Sequence, residues 1–423
     1  MSDTEGSKQK PRILCILPAV PLPADTGGNL RTLSLTRALD DAFDVSTLTW
    51  AREGQDSDRF RDRMRGGVYV LDKPSRFDAT IAMSISALAG RPLGYSRYGM
   101  FPKRTLELLA SRQFDAIHFD HPHTALAWPL LRRLQPNARL VLDAHNVEAE
   151  ILERMTPLAP FWKRPLYRFQ SRRIRAFERD LANAMDLVLT CSARDAEAFR
   201  KLGAKRVRVV PNGVPPFAPI SGGERRDVLF VGSMDWRPNA DAAVALARDI
   251  WPLVRSRLGG ARLVLVGRNP PEQVRALAAD DIVVAGGVAS VQPYLESARA
   301  TAIPLRAGSG TRIKILEAWA AGVPVIASRI AAEGLPYSDG RDLLLAETAA
   351  EFAQQLERVF AEAPLSKRLG DAGRKSAEPF GQAKVAEATV AAYREELGIG
   401  VDEPIESASR YKTAYEAAIA STA

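Results

Sequence analysis

Only two cysteines, Cys15 and Cys191, occur in a chain of 423 residues. That excludes a disulfide framework, and with it the small disulfide-stapled domains. Each cysteine lies inside an apolar run and reads as a buried thiol. Histidine is nearly as scarce, with four residues, and no Cys/His cluster has zinc spacing. No apolar run approaches the roughly 20 residues that a membrane-spanning helix needs. The amino-terminal MSDTEGSKQKPR is polar and lacks the apolar stretch of a signal peptide. These absences lead us to expect a cytoplasmic protein. Neither a fixed-period repeat nor a nucleic-acid-binding motif is visible.

The chain is too long for one hydrophobic core, and two domains are expected. Apolar residues make up 46% and charged residues 26%, an ordinary balance for a folded protein. Fifty-eight Lys and Arg against 50 Asp and Glu leave a formal charge of +8. Such a surplus favours anionic partners, among them nucleotides, acidic lipid surfaces and nucleic acid, without choosing between them.

Short apolar runs alternate with helix-length segments, the pattern of βαβ units and a parallel sheet. Strands are expected near 13–17, 45–49, 116–119, 139–142, 187–190 and 207–210, with a helix over 30–39. The runs are continuous rather than alternating, as in strands covered on both faces. A stretch rich in Pro and Gly follows, and a second series begins: strands at 227–231, 261–266, 282–285, 301–304 and 323–327, helices at 240–258 and 314–321, and more helix within 349–397. The expected organisation is a disordered tail (1–10), a first Rossmann-like domain (11–212), a linker (213–226), a second Rossmann-like domain (227–385) and a helical segment that packs back or forms a tail (386–423). Ligands of open parallel sheets bind at the carboxyl ends of the strands, so chemistry is sought at those ends and in a cleft between the domains.

Four places stand out. Gly27-Gly28 sits between the first strand and a helix, where backbone can approach an anion. It is not G-x-G-x-x-G, so the dinucleotide fingerprint is absent there. All four histidines fall at two adjacent strand ends, in HFDHPHT and in Asp143-Ala-His145-Asn146. A structural role suits His118, His121 and His123, a chemical one His145; a metal reading lacks supporting ligands. The segment IPLRAGSGTRIKILEAW places Gly308, Ser309, Gly310, Thr311 and Arg312 before a helix carrying Lys314 and Glu317. Amides and cations converging on a helix start suit a diphosphate, and a carboxylate one turn on suits ribose hydroxyls. In Gly232-Ser-Met-Asp-Trp-Arg237, Arg237 is placed to clamp a phosphate.

In this order these motifs, with MDLVLTCSARD (185–195), RVVPNGV (208–214) and VGSMDW, resemble glycosyltransferase family 4 over nearly the whole chain, most closely its polysaccharide and glycoconjugate branch. The resemblance implies the GT-B fold, two doubly wound α/β domains facing a cleft. It also implies a retaining transfer of sugar from a nucleotide diphosphate, UDP or GDP, without cofactor or metal. The cleft loops show no Asp-x-Asp metal motif. Arg237 and Lys314 would hold the diphosphate, with the amides of Gly310 and Thr311. Glu317 would bind the ribose, His145 would serve the transferred sugar, and Gly27 and Gly28 would line the meeting of donor and acceptor. Two positions depart from the family pattern. Ser309 stands eight residues before Glu317, where many members have Glu, and Ser233 follows Gly232, where many have Arg. Arg312 or Arg306 would supply the lost charge.

Basic and aromatic residues crowd 59–104 and 161–179, a composition suited either to a solvated helix face or to an anionic membrane bearing a lipid-linked acceptor. The competing readings are a nucleotide-sugar epimerase, a non-catalytic GT-B relative and a nucleic-acid-binding module. The sequence favours the transferase, with a nucleotide sugar and a sugar, lipid-linked or small-molecule acceptor as partners and no nucleic acid.

Overall fold

The computed structural model describes residues 10–24, 26–50, 56–72, 76–157, 159–217, 225–307 and 313–399. Most of the expected tail, residues 218–224 of the linker, the 308–312 loop and the segment from 400 onward lie outside them. The chain divides into two compact units. One runs to Val210 and takes in the carboxyl-terminal helix from Ala386; the other runs from Pro211 to Val385.

The first unit is built on seven parallel strands: β1 (Arg12–Ile16), β2 (Asp44–Trp50), β3 (Val68–Leu71), β4 (Ala116–Asp120), β5 (Arg139–Ala144), β6 (Leu187–Thr190) and β7 (Val207–Val209). Their order is β3-β2-β1-β4-β5-β6-β7, so the chain reverses direction across the sheet between β1 and β4. Ile13, Ile16, Ile117, Leu142 and Val188 are fully buried, which is why these runs are continuously apolar. The second unit repeats the plan with six strands: β8 (Asp227–Val231), β9 (Leu263–Val266), β10 (Ile282–Gly286), β11 (Ala298–Ile303), β12 (Val325–Ala327) and β13 (Leu344–Leu345), ordered β10-β9-β8-β11-β12-β13. The doubly wound α/β class expected from the sequence is thus present twice.

The differences lie in details that local chemistry explains. The helix expected over 240–258 begins at Arg237 and loses its regular ladder at Leu246–Ile250, where a π turn precedes Pro252. Proline lacks the N–H that would continue the ladder, and its ring crowds the preceding turn. Proline also divides the 349–397 region. Pro364 opens a helix (Ala363–Ala377) after the Ala349–Ala361 helix, and Pro379 separates it from Gln382–Glu396. The edge strands β3 and β13 have too few residues to show a pattern in sequence.

Candidate functional site

In the first unit, three polar strand-to-helix connections converge. After β1, Thr26 caps the Gly27–Ala42 helix by accepting the Asn29 amide at 3.1 Å, and Gly27 and Gly28 are its first residues. That helix turns Arg31 and Thr32 inward, both buried. Asp120 ends β4, its register partner Asp143 is the last residue but one of β5, and His145 follows. The His145 ring lies between the two carboxylates, with Nε2 2.7 Å from Asp120 Oδ1 and 3.1 Å from Asp143 Oδ2. Arg31 grips Asp143 through Nη2 at 2.5 Å and Nε at 3.0 Å, and its Nη1 donates to the Val210 carbonyl at 2.7 Å. Thr32 Oγ1 donates to Asp120 Oδ2 at 2.7 Å.

Two buried carboxylates are therefore balanced by one guanidinium and one imidazole. Burial alone would lower the His145 pKa, but Asp120 and Asp143 outweigh it and push it up to about 9. The imidazole is a cation at neutral pH. Burial raises the two aspartates, yet the cations beside them hold both well below the usual carboxylate range. A side chain on Gly28 would stand with its Cβ 4.0 Å from His145 Nδ1, so the predicted pair Gly28 and His145 do meet. His121 stacks on His145 with ring centroids 3.5 Å apart, and its backbone is left-handed at φ 73°. Its amide is held by the Asp143 carbonyl at 3.0 Å. Strain of this kind persists only where surroundings enforce it, often at working sites.

The other two histidines are structural. His118 Nδ1 lies 2.6 Å from the Tyr393 hydroxyl on the Gln382–Glu396 helix. His123 packs on Tyr98, with ring centroids 4.6 Å apart. Cys15 and Cys191 are buried thiols, Cys191 pushed to about 12 by burial. Asp120, His121 and His145 present ligand atoms within 4.8 Å of one another, a set that would also accept a cation. As described, its charge is balanced by Arg31 and the His145 proton. One Asp-x-Asp, Asp56-Ser57-Asp58, does occur. Asp56 caps a short helix by accepting the Arg59 amide at 2.9 Å, and Asp58 pairs with Arg61 at 2.6 Å.

In the second unit, polar residues gather beyond β8 and β11, where that sheet changes direction. Gly232 follows β8, and its backbone is pressed against Gly267 after β9. A Cβ on Gly267 would fall 1.9 Å from the Gly232 carbonyl oxygen, so only glycine fits. Lys314, in the first turn of the Ile313–Ala320 helix, donates from Nζ to Asn239 Oδ1 at 2.6 Å and sits 4.7 Å from the centroid of the Phe230 ring. Asn239 is fixed in turn by donating to the Ser233 carbonyl at 2.8 Å. Glu317, one turn on, is buried, and among the described residues no group hydrogen-bonds its carboxylate. Burial raises its pKa to about 7, against the pull of Lys314.

Arg237 is exposed at the first position of its helix. Where many family members carry Arg after the glycine, Ser233 accepts from Arg268 Nε at 2.9 Å, so a guanidinium reaches that point from the end of β9. Arg306 is turned toward Asp249 and Asp241, at 3.5 and 3.9 Å. The predicted Ser309, Gly310, Thr311 and Arg312 lie outside the described residues. Arg31, Asp120, Asn239 and Arg268 join these clusters without having been singled out in sequence. Two acids ending neighbouring strands, HFD and LDA, were the available sign that a buried cation must meet them.

Residues 26–216 match the family described as Glycosyltransferase Family 4, and residues 225–362 the one described as Glycosyl transferases group 1. The chain is 27% identical over 352 residues to the MMP alpha-(1->4)-mannosyltransferase of Mycolicibacterium hassiacum, spanning 78% of this chain and 82% of that one. It is 31% identical over 199 residues to the D-inositol 3-phosphate glycosyltransferase of Acidothermus cellulolyticus, 40% and 44% of the respective lengths. Sucrose-phosphate synthase from Thermosynechococcus elongatus superposes with a TM-score of 0.70 at 18% identity, over 92% of this chain and 100% of that one. Anabaena Alr3699/HepE in complex with UDP-glucose gives 0.63 at 15%, over 91% and 99%. These solved structures share the GT-B fold. With family matches along both halves, in order, the chain belongs to glycosyltransferase family 4 and is a glycosyltransferase.

Proposed function

We propose that this glycosyltransferase takes a sugar from a nucleotide diphosphate held by its second unit, with retention of configuration and without a metal. The acceptor is a sugar, a lipid-linked sugar or a small molecule. The observation that carries this reading is Lys314, its ammonium fixed by Asn239 at the carboxyl end of β8, with an uncompensated buried carboxylate, Glu317, one turn away. A cation so fixed suits a diphosphate, and a carboxylate lacking donors suits ribose hydroxyls.

As the glycosidic bond breaks, negative charge grows on the departing diphosphate. Lys314 and Arg237 stabilise it, with the amides at the start of the Ile313–Ala320 helix. Arg268, beside Ser233 and paired with Asp235 at 3.3 Å, brings a guanidinium to the point where many relatives carry one on the residue after the glycine. Retention follows if the acceptor attacks from the face the diphosphate leaves, the leaving oxygen taking the acceptor's proton. The His145 imidazolium donates a hydrogen bond to the transferred sugar across Gly28. UDP or GDP is the favoured donor base, the first in line with the UDP-glucose bound by Alr3699/HepE. We propose the cytoplasm as the place of the reaction.

A thermal-shift screen across UDP-, GDP-, ADP- and dTDP-sugars tests the reading. A donor at a hundred times its Kd stabilises by about 2.7 kcal/mol. Stabilisation by one base class, reduced but not abolished by Lys314→Ala, is expected. A flat response to all four would refute it.

A further inference from the structure

Twelve large apolar side chains are exposed among the described residues, and nine of them lie on two segments of the first unit. Phe77, Ile81, Ile85 and Leu88 recur every three or four residues along the Arg76–Leu88 helix, so they form one stripe, and the ninth residue, Met83, is exposed off that stripe. Ala82 and Ser86 fill the opposite, buried face. The second group is Phe161 and Trp162, 76% and 65% exposed, followed by Leu166 and Phe169 at the start of the Arg164–Ala184 helix. Arg173 joins the two groups. Its guanidinium covers the Phe169 ring at 4.5 Å and donates to the carbonyls of Ala87 at 2.9 Å and Arg91 at 3.3 Å. Behind this junction, Gly90 and Arg91 line an open cavity of about 630 Å³ with Trp128, Phe177, Arg179 and Asp180, of mixed apolar and charged character.

Along the Phe161 segment the charge has one sign. From Phe161 to Phe177 the chain carries six basic residues and no acidic one. Lys163, Arg168 and Arg172 are exposed, and among the described residues none of them forms an ion pair. Clustered apolar side chains of this size on a surface mark an interaction site. Aromatic and aliphatic tips set within unpaired cations match the interface of an anionic bilayer, where rings sit at headgroup level and Lys and Arg meet phosphates. No described helix is long and apolar enough to cross a membrane, so contact is with the surface.

We propose that this face docks the first unit on an anionic lipid bilayer. The apolar stripe and the Phe161–Trp162 pair enter the interface, while Lys163, Arg168 and Arg172 bind lipid phosphates. The surface is separate from the residues assigned to the sugar donor, so it stands or falls independently of that assignment.

Co-sedimentation of the full chain with vesicles of phosphatidylcholine, alone or mixed with phosphatidylglycerol, tests the proposal. Binding to the mixed vesicles is expected to be at least about tenfold tighter, and to weaken with salt. The exposed double variants Phe161→Ser/Trp162→Ser and Arg168→Glu/Arg172→Glu should each lose about tenfold. Both should unfold at the wild-type temperature, which shows that they fold. Brominated lipid should quench wild-type tryptophan fluorescence, and Trp162→Phe should remove most of that quenching. Equal binding to both vesicle types, no binding, or variants that bind like wild type would overturn the proposal. So would sedimentation of the free chain as a dimer that Phe161→Ser/Trp162→Ser dissociates.

Discussion

Arg31 holds Asp143 in a buried ion pair, Nη2 to Oδ1 at 2.5 Å, with 1% and 0% of the two side chains exposed. Through Asp143 the guanidinium also sets the position of His145. Removing one member of such a pair leaves its partner charged and unsolvated. Arg31→Met is therefore expected to destabilise the first unit by about 3–5 kcal/mol, read by urea unfolding. Turnover should fall as well, because His145 loses the group that orients its neighbour. The double variant Arg31→Met/Asp143→Leu should regain much of the stability and none of the turnover. A single variant as stable as wild type would show that the pair has no such role.

His145 gives the first unit a pH signature. Its pKa rises from 6.5 to about 9 on folding, because Asp120 and Asp143 outweigh burial. A raised folded-state value means that the folded form binds the proton more tightly. This contribution to stability is complete below about pH 6.5 and is lost as pH climbs through about 9. Thermal unfolding between about pH 6 and 10 should show that loss in wild type, and His145→Asn should flatten it. Turnover should decline over the same alkaline limb if the imidazolium serves the sugar. A variant with an undiminished slope would assign the limb to another group.

Much of the fold was legible because each half repeats one simple signal. Runs such as Leu229–Val231 and Leu263–Val266 are apolar throughout, and the strands of both sheets formed close to where those runs fall. What escaped were the two edge strands, four and two residues long, and the break ahead of Pro252. Of the candidate site, residues just after strands or in the first turn of the helix that follows were legible by position: Gly28, His145, Gly232 and Lys314. Arg31 was not, since an arginine inside a helix reads as a solvated cation until the fold turns it onto Asp143. Arg268 escaped for a similar reason, because its contact with Ser233 joins the ends of two strands 35 residues apart in the chain.

The second unit's grip on a diphosphate is testable through a residue that carries no charge. A Cβ on Gly232 would fall 2.7 Å from Asn239 Cγ and 2.8 Å from Lys314 Nζ. Both obstacles are side-chain atoms and not backbone, and Lys314 Nζ is the far end of a flexible chain, so the strand survives while Asn239 and the ammonium are displaced. Gly232→Ala should unfold near the wild-type temperature and bind nucleotide sugar at least about tenfold more weakly, a change of about 1.4 kcal/mol. Calorimetric titration would measure it, and unchanged affinity would mean that Lys314 does not contact the donor.

Lys314 itself should act chiefly on the chemical step. Charge on the diphosphate is greatest as the sugar departs, and a fixed cation stabilises that moment more than it does the ground state. Lys314→Ala is expected to lower kcat by about 10²–10³, with circular dichroism unchanged. A fall in affinity alone, at constant kcat, would recast Lys314 as a binding residue.

Glu317 ties donor binding to pH. Burial raises its pKa from 4.5 to about 7, with Lys314 pulling the other way. The folded state therefore favours the neutral acid. The stability this contributes is complete below about pH 4.5 and is lost as pH rises through about 7. Ribose hydroxyls are best accepted by the ionised carboxylate. Affinity for a nucleotide sugar, whose diester phosphates do not titrate in this range, should therefore increase from about pH 6 to about pH 8. Glu317→Gln cannot ionise, so it should bind donor more weakly, lose the pH dependence and unfold at a higher temperature than wild type above about pH 7 in the absence of ligand. Titrations and melting curves across that range separate the two effects. If wild-type affinity does not change through pH 7 while the melting difference appears, Glu317 is a buried acid of the core and not the ribose ligand.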